Sequence, residues 1–162
     1  MPEENELHMS TVRASSSYQP GSEWANTFLG HKTLDLGANS THSLELQADV
    51  HSTAFVGWSL KSAKPSQVHL KVLYSEGYEN EPRSYPFFRS KEDRLDAANA
   101  HIVGPYDDAT IELPAGETVY YEPFWFRTFR LVKIDIQTGP GPVELMGMQA
   151  SQTNYPLAVK AA

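Results

Sequence analysis

The chain of 162 residues contains no cysteine. That removes disulfide bonds, thiolate nucleophiles and cysteine-held zinc at once. It says little about compartment, because a β-sandwich of this size can be secreted without a disulfide. Basic residues are scarce: 13 Lys and Arg stand against 20 Asp and Glu, giving a net charge of -7 and a pI near 5.3. An acidic chain repels phosphate backbones, so nucleic acid is not an expected partner. No apolar run approaches the ~20 residues that a membrane helix needs, so no membrane partner is expected either. The acidic start, Met1-Pro2-Glu3-Glu4-Asn5-Glu6, lacks the apolar stretch of a signal peptide, which leaves a cytoplasmic chain or a piece of a longer one. No internal repeat of ~20–50 residues is evident. The histidines, His8, His31, His42, His51, His69 and His101, have no paired spacing of the His-Glu-x-x-His kind. There is no phosphate-cradling glycine loop, because the prolines of Gly139-Pro140-Gly141-Pro142 remove the backbone donors such a cradle uses.

What is present is alternation. Hydrophobic residues make up 40% of the chain and charged residues only 20%, enough to build a core and too little charge for a disordered polyampholyte. Ala54, Val56, Trp58 and Leu60 share one face of an extended segment, as do Val68, Leu70, Val72 and Tyr74, and Val132, Ile134 and Ile136; Leu44 and Leu46 alternate with Glu45 and Gln47. Trp58 falls on a core face. Breakers separate these runs at Lys64-Pro65-Ser66, Gly77, Pro82, Gly104-Pro105 and Pro114-Ala115-Gly116. The pattern predicts an all-β, antiparallel β-sandwich of jelly-roll or concanavalin-like type with at most one short helix, the longest helix-compatible stretch being 91–100. Residues 1–22 are polar, with Ser15-Ser16-Ser17 and Pro20-Gly21, and read as a flexible N-terminal tail; 23–152 read as the sandwich and 153–162 as a C-terminal linker. The segment 79–106 is long, polar and charged, as functional or interfacial loops tend to be.

Two sets of residues carry a family resemblance. One is Leu34-Asp35-Leu36-Gly37, then Leu73-Tyr74-Ser75-Glu76, then Lys91-Glu92-Asp93-Arg94-Leu95-Asp96. The other is Tyr121-Glu122-Pro123-Phe124-Trp125-Phe126-Arg127-Thr128-Phe129-Arg130, running into the strand that starts at Leu131. In this order they resemble the concanavalin-like β-sandwich domain of the α-L-rhamnosidases, a family of inverting glycoside hydrolases. Asn154-Tyr155-Pro156-Leu157 is similar to that family's link from sandwich to barrel. The sequence departs from the family in 38–52, which lacks the glycines often found there, and in the Pro- and aromatic-rich loop 78–89. The resemblance implies an accessory domain without catalytic residues of its own. In the family, a following (α/α) barrel supplies the two carboxyl groups, ~6.5–9.5 Å apart, that inversion requires; that barrel's Asp-x-Pro-x-Arg type motif does not occur in this chain. The expected partner is therefore a catalytic barrel or carbohydrate. The alternative is a free-standing, lectin-like module for rhamnose-containing glycans.

Sugar rings present C–H faces that pack on flat aromatic rings while neighbouring polar groups bond the hydroxyls. The candidates for sugar or partner contact are Tyr85, Phe87, Phe88, Tyr106, Tyr121, Trp125 and Arg127. Glu76 closes a core strand and needs a cationic partner if part-buried, with Arg94 or Arg127 as the candidate. Glu76, Asp93 and Asp96 also have the chemistry of an acid/base pair, but no cleft or shifted pKa can be read from sequence. Asp93, Asp96 and Asp107 offer oxygen ligands for calcium, without the spacing of an EF-hand; as residues that bond locally to backbone they equally suit turns and caps. No cofactor is expected beyond that.

Overall fold

The computed structural model describes residues 5–6, 9, 11–79, 94–98 and 100–152. Among these, the elements are β1 (Asn5–Glu6), β2 (Thr11–Ser16), α1 (Gly21–Phe28), β3 (Leu34–Leu36), β4 (Thr41–Lys61), β5 (Ser66–Ser75), β6 (Tyr78–Glu79), β7 (His101–Ile102), β8 (Tyr106–Leu113), β9 (Thr118–Tyr121), β10 (Arg127–Thr138) and β11 (Val143–Gln152). All the ladders are antiparallel. The fold is an all-β sandwich formed by one curled sheet.

β4 organises it. Its first half pairs with β2 on one side and β10 on the other, and β10 leads on to β5 and β8. Its second half pairs with β11 and β9. The same 21-residue strand thus serves both layers. Even-numbered residues point inward in both halves, Leu44, Leu46 and Ala48, then Ala54, Val56, Trp58 and Leu60, all buried, while Val50 between them is exposed. Val68, Leu70, Val72 and Tyr74 of β5 face them.

β10 does not keep one parity. A bulge between Phe129 and Leu131 shifts its register, so that Phe129 and then Val132, Ile134 and Ile136 face the core. Leu131 is turned to the outer face, where it packs with Tyr78 and Ile102. The β6–β7 pair is thereby seated on the outside of the sheet. Arg13 holds it there: its guanidinium donates to Gln47 Oε1 and to the Leu95 carbonyl, both at 2.6 Å, and lies 5.4 Å from the centre of the Tyr78 ring.

Two expectations are corrected. Thr11–Ser16 lies in the stretch read as a loose tail, yet it is a strand, running from Thr11 opposite Gln47 to Ser16 opposite Ser43. Its side chains are nearly all exposed, so it is held by ladder hydrogen bonds rather than by an apolar face, and polarity hid it. The helix forms at Gly21–Phe28, whereas the described residues 94–98 of the expected stretch are turn and coil. Trp24, Thr27 and Phe28, at i, i+3 and i+4, are all buried; Arg94–Ala98 has only Leu95 to bury. Gly30, at φ 72, closes the helix in the left-handed region that suits glycine.

Candidate functional site

A groove of about 620 Å³ opens where the end of β5, the start of β10 and the bend 103–105 meet. One wall follows from β5. After Tyr74, the Ser75 hydroxyl donates to the Gly77 carbonyl at 2.6 Å and turns the chain, leaving Glu76 exposed. The Tyr78 N–H donates to the Arg94 carbonyl at 2.8 Å, which sets Arg94 across Gly77. Position 77 has no room for more than hydrogen: a Cβ there would stand 2.6 Å from that of Arg94. Arg94 Nη1 then donates to Glu76 Oε2 at 3.2 Å, and Nη2 lies 3.9 Å from Glu79 Oε1. Arg94 Nε is buried and has no hydrogen-bond partner among the described residues.

The opposite wall is set by β8 and β10. Arg127 forks onto Asp107: Nε donates to Oδ2 at 3.3 Å and Nη2 to Oδ1. That carboxylate raises the arginine's pKa further, so the guanidinium stays charged. The guanidinium also lies 5.8 Å from the Tyr74 ring centre. The Tyr74 phenol is pushed up by burial first and by the Asp107 charge second, and its hydroxyl stands in that field without a well-formed hydrogen bond.

At the rim, the loop between β9 and β10 raises three rings into solvent. Phe124 is fully exposed, Trp125 is 62% exposed and Phe126 is 44% exposed. Trp125 and Phe126 stack at 5.6 Å and 21°, and Phe126 meets Phe55 edge-on at 6.1 Å. The rings are mutually supported, which fixes Trp125 beside the groove at small entropic cost.

The groove brings together Glu76, Arg94, Trp125 and Arg127, with Asp107 behind Arg127. Tyr121 is half-buried, lies opposite Trp58 and packs against the core; its phenol is raised mainly by burial. Tyr106 is exposed on β8 outside the groove, with the Lys71 ammonium 4.7 Å from its ring centre. Asp96 Oδ1 accepts the Ala98 N–H at 2.8 Å, a local turn bond. Tyr85, Phe87, Phe88 and Asp93 lie outside the described residues. Among the described residues, no three His, Asp or Glu side chains come together as a metal site would need. Sequence reasoning missed Glu79 and Phe55 as site residues and read Gly104-Pro105 only as a break between strands. A signal for Phe55 existed: an aromatic residue on the outward parity of a strand whose other outward residues are small or polar.

No protein-family model and no curated protein matches the chain. Several solved structures are similar to it. A GH78 family rhamnosidase of Bacillus sp. GL1 is 16% identical over 78% of this chain and 11% of that chain, at a TM-score of 0.44. A pectin-binding carbohydrate-binding module is 10% identical, covering 93% of this chain and 95% of the module, at 0.44. A GH29 fucosidase of Ruminococcus gnavus is 9% identical, covering 86% of this chain and 25% of that one, at 0.47. The likeness is one of fold alone, and the chain spans only 11% of the length of the rhamnosidase.

Proposed function

We propose that this chain is a non-catalytic carbohydrate-binding β-sandwich, an accessory domain of the kind that serves an α-L-rhamnosidase-like glycoside hydrolase, and that it holds an uncharged sugar in the groove beside Trp125. The observation that carries this reading is the pairing of an exposed, braced indole with ionised hydrogen-bonding groups in one open groove. The ring takes the C–H face of a pyranose, and the carboxylates and guanidiniums bond its hydroxyls. The charge state favours a neutral ligand. Arg94 is already matched by Glu76 and Glu79, and Arg127 by Asp107, so an incoming acid would displace a carboxylate rather than meet a waiting cation.

The test is calorimetric titration of the purified chain with L-rhamnose and with rhamnose-capped oligosaccharides. Saturable heat at millimolar sugar or below, reduced about tenfold or more in affinity by Trp125→Ala, is the expected result. Trp125 is largely exposed, so this variant should keep its thermal midpoint, with less than about 0.5 kcal/mol lost. A folded protein that gives no heat with any of these sugars overturns the reading. Full exposure of Phe124 favours a second one, in which the same apolar projection docks a catalytic (α/α) barrel. In that case sugar gives no heat, and Phe124→Ala weakens co-elution with a separately produced barrel.

A further inference from the structure

The aromatic rim does not end at the groove. Phe126 touches Phe55, which points outward from β4 because its neighbours Ala54 and Val56 point into the core. Two residues along the same outward face, roughly 7 Å away at strand spacing, stands Gly57. Its missing side chain is filled by the ring of Tyr120 from β9, whose hydroxyl occupies the place a Cβ would take. Tyr120 is 51% exposed, and its hydroxyl donates to Glu122 Oε2 at 2.8 Å, which holds the hydroxyl end of the ring over the glycine. Burial, with Glu122 after it, pushes that phenol up to about 12, so it is neutral at any physiological pH.

Rings therefore run from Trp125 through Phe126 and Phe55 to Tyr120, out of the groove and along the second half of β4. Small polar groups flank them: Gln149 lies opposite Gly57, Ser151 opposite Phe55, and Ser59 opposite Tyr120. A protein interface of this extent has an apolar centre with a polar rim. Here rings and hydroxyl or amide groups alternate along a line, which matches a chain of sugar rings with hydroxyls on both edges.

We propose that the ligand is an oligosaccharide chain several residues long, bound with one residue in the groove against Trp125 and a later residue on the face of Tyr120 over Gly57. This rests on the carbohydrate reading given above and extends it to the length of the ligand. It predicts that affinity rises with chain length and that Tyr120 contributes only to long ligands.

The experiment titrates the chain with neutral rhamno-, galacto- and gluco-oligosaccharide ladders of one to six residues, using the unaltered protein, Tyr120→Ala and Trp125→Ala. The expected result is a hexasaccharide bound about tenfold or more tightly than the monosaccharide. Tyr120→Ala should abolish that gain and leave monosaccharide affinity unchanged, while Trp125→Ala weakens every length. Gly57→Ala, whose new methyl displaces the Tyr120 ring, should reproduce the Tyr120→Ala profile in a folded protein. Equal affinity for one and six residues, or an equal loss at every length in Tyr120→Ala, overturns the extended site and leaves the groove standing. No binding at any length by the unaltered protein overturns the groove as well.

Discussion

His42 shows how a single residue ties stability to pH. It is buried beneath the Tyr18 and Trp24 rings, with Ser17 Oγ 2.7 Å from Nδ1 and Ser40 Oγ 2.9 Å from Nε2. The proton positions follow from the neighbours. Ser17 Oγ already accepts the Gln19 N–H and the Trp24 indole N–H, so its own hydrogen goes to Nδ1. Ser40 Oγ donates to the Gly37 carbonyl, so it accepts from Nε2–H. The network is complete with a neutral imidazole; a proton on Nδ1 would face the Ser17 hydrogen. Burial lowers the folded pKa below 6.5. The sign follows: the unfolded chain binds more protons in the window below 6.5, so the stabilisation is present in full above that pH and is lost as pH falls toward the folded value. Urea midpoints should therefore decline between pH 7 and pH 5. His42→Gln, which keeps a donor and an acceptor but does not titrate, should flatten that decline; an unchanged slope would assign the acid sensitivity elsewhere.

Among elements, those that bury an apolar face were legible and those held by backbone alone were not. The alternation in 54–60, 68–74 and 131–136 marked strands correctly, and the inward parity of Trp58, Tyr74 and Ile134 followed from it. β2 has no apolar face to show, and the β10 bulge has no composition: Phe129, Arg130 and Leu131 look like any strand run, yet the register slips between Phe129 and Leu131. Of the groove, the Tyr121–Arg130 stretch stood out because aromatic density exceeds what one strand can bury. The Asp107 partner of Arg127 did not, because β8 and β10 are brought together only by their shared neighbour β5. The Gly104-Pro105 break was legible, but its contact with Tyr74 was not. Here the chain passes so close to the Tyr74 carbonyl that a Cβ would overlap it, while the Tyr74 N–H donates to Pro105 at 2.9 Å. The obstacle is backbone, which cannot swing aside as a side chain can. Gly104→Ala should therefore cost about 1–3 kcal/mol in a denaturant titration, more than a surface change of the same size. A loss near zero would show that the 103–105 bend is free to move and does not fix the groove wall.

The whole molecule depends on one strand being common to both layers. In a sandwich whose sheets share no strand, the layers are joined by side-chain packing and loops, and either can in principle fray first. Here β4 passes from the β2–β10 side to the β9–β11 side without a break, so disordering either layer strips ladder bonds from the other. The core packs across the same junction. Phe28 of α1 meets Trp58 edge-on at 6.5 Å, while Tyr74 and Phe129 meet at 5.5 Å on the other side, all within one cluster. A chain of this size with one continuous core should unfold as one unit. The two signals to compare, both in a Trp24→Phe, Trp125→Phe variant, are the fluorescence of the remaining Trp58, which follows the second half of β4 against β9 and β11, and far-ultraviolet circular dichroism, which follows every strand. Their urea transitions should coincide in midpoint and in slope. If the fluorescence transition came first, the β9–β11 layer would be a separate unit, β4 would be two strands in energetic terms, and the rigid placement of Tyr120 relative to Trp125 would lose its physical basis.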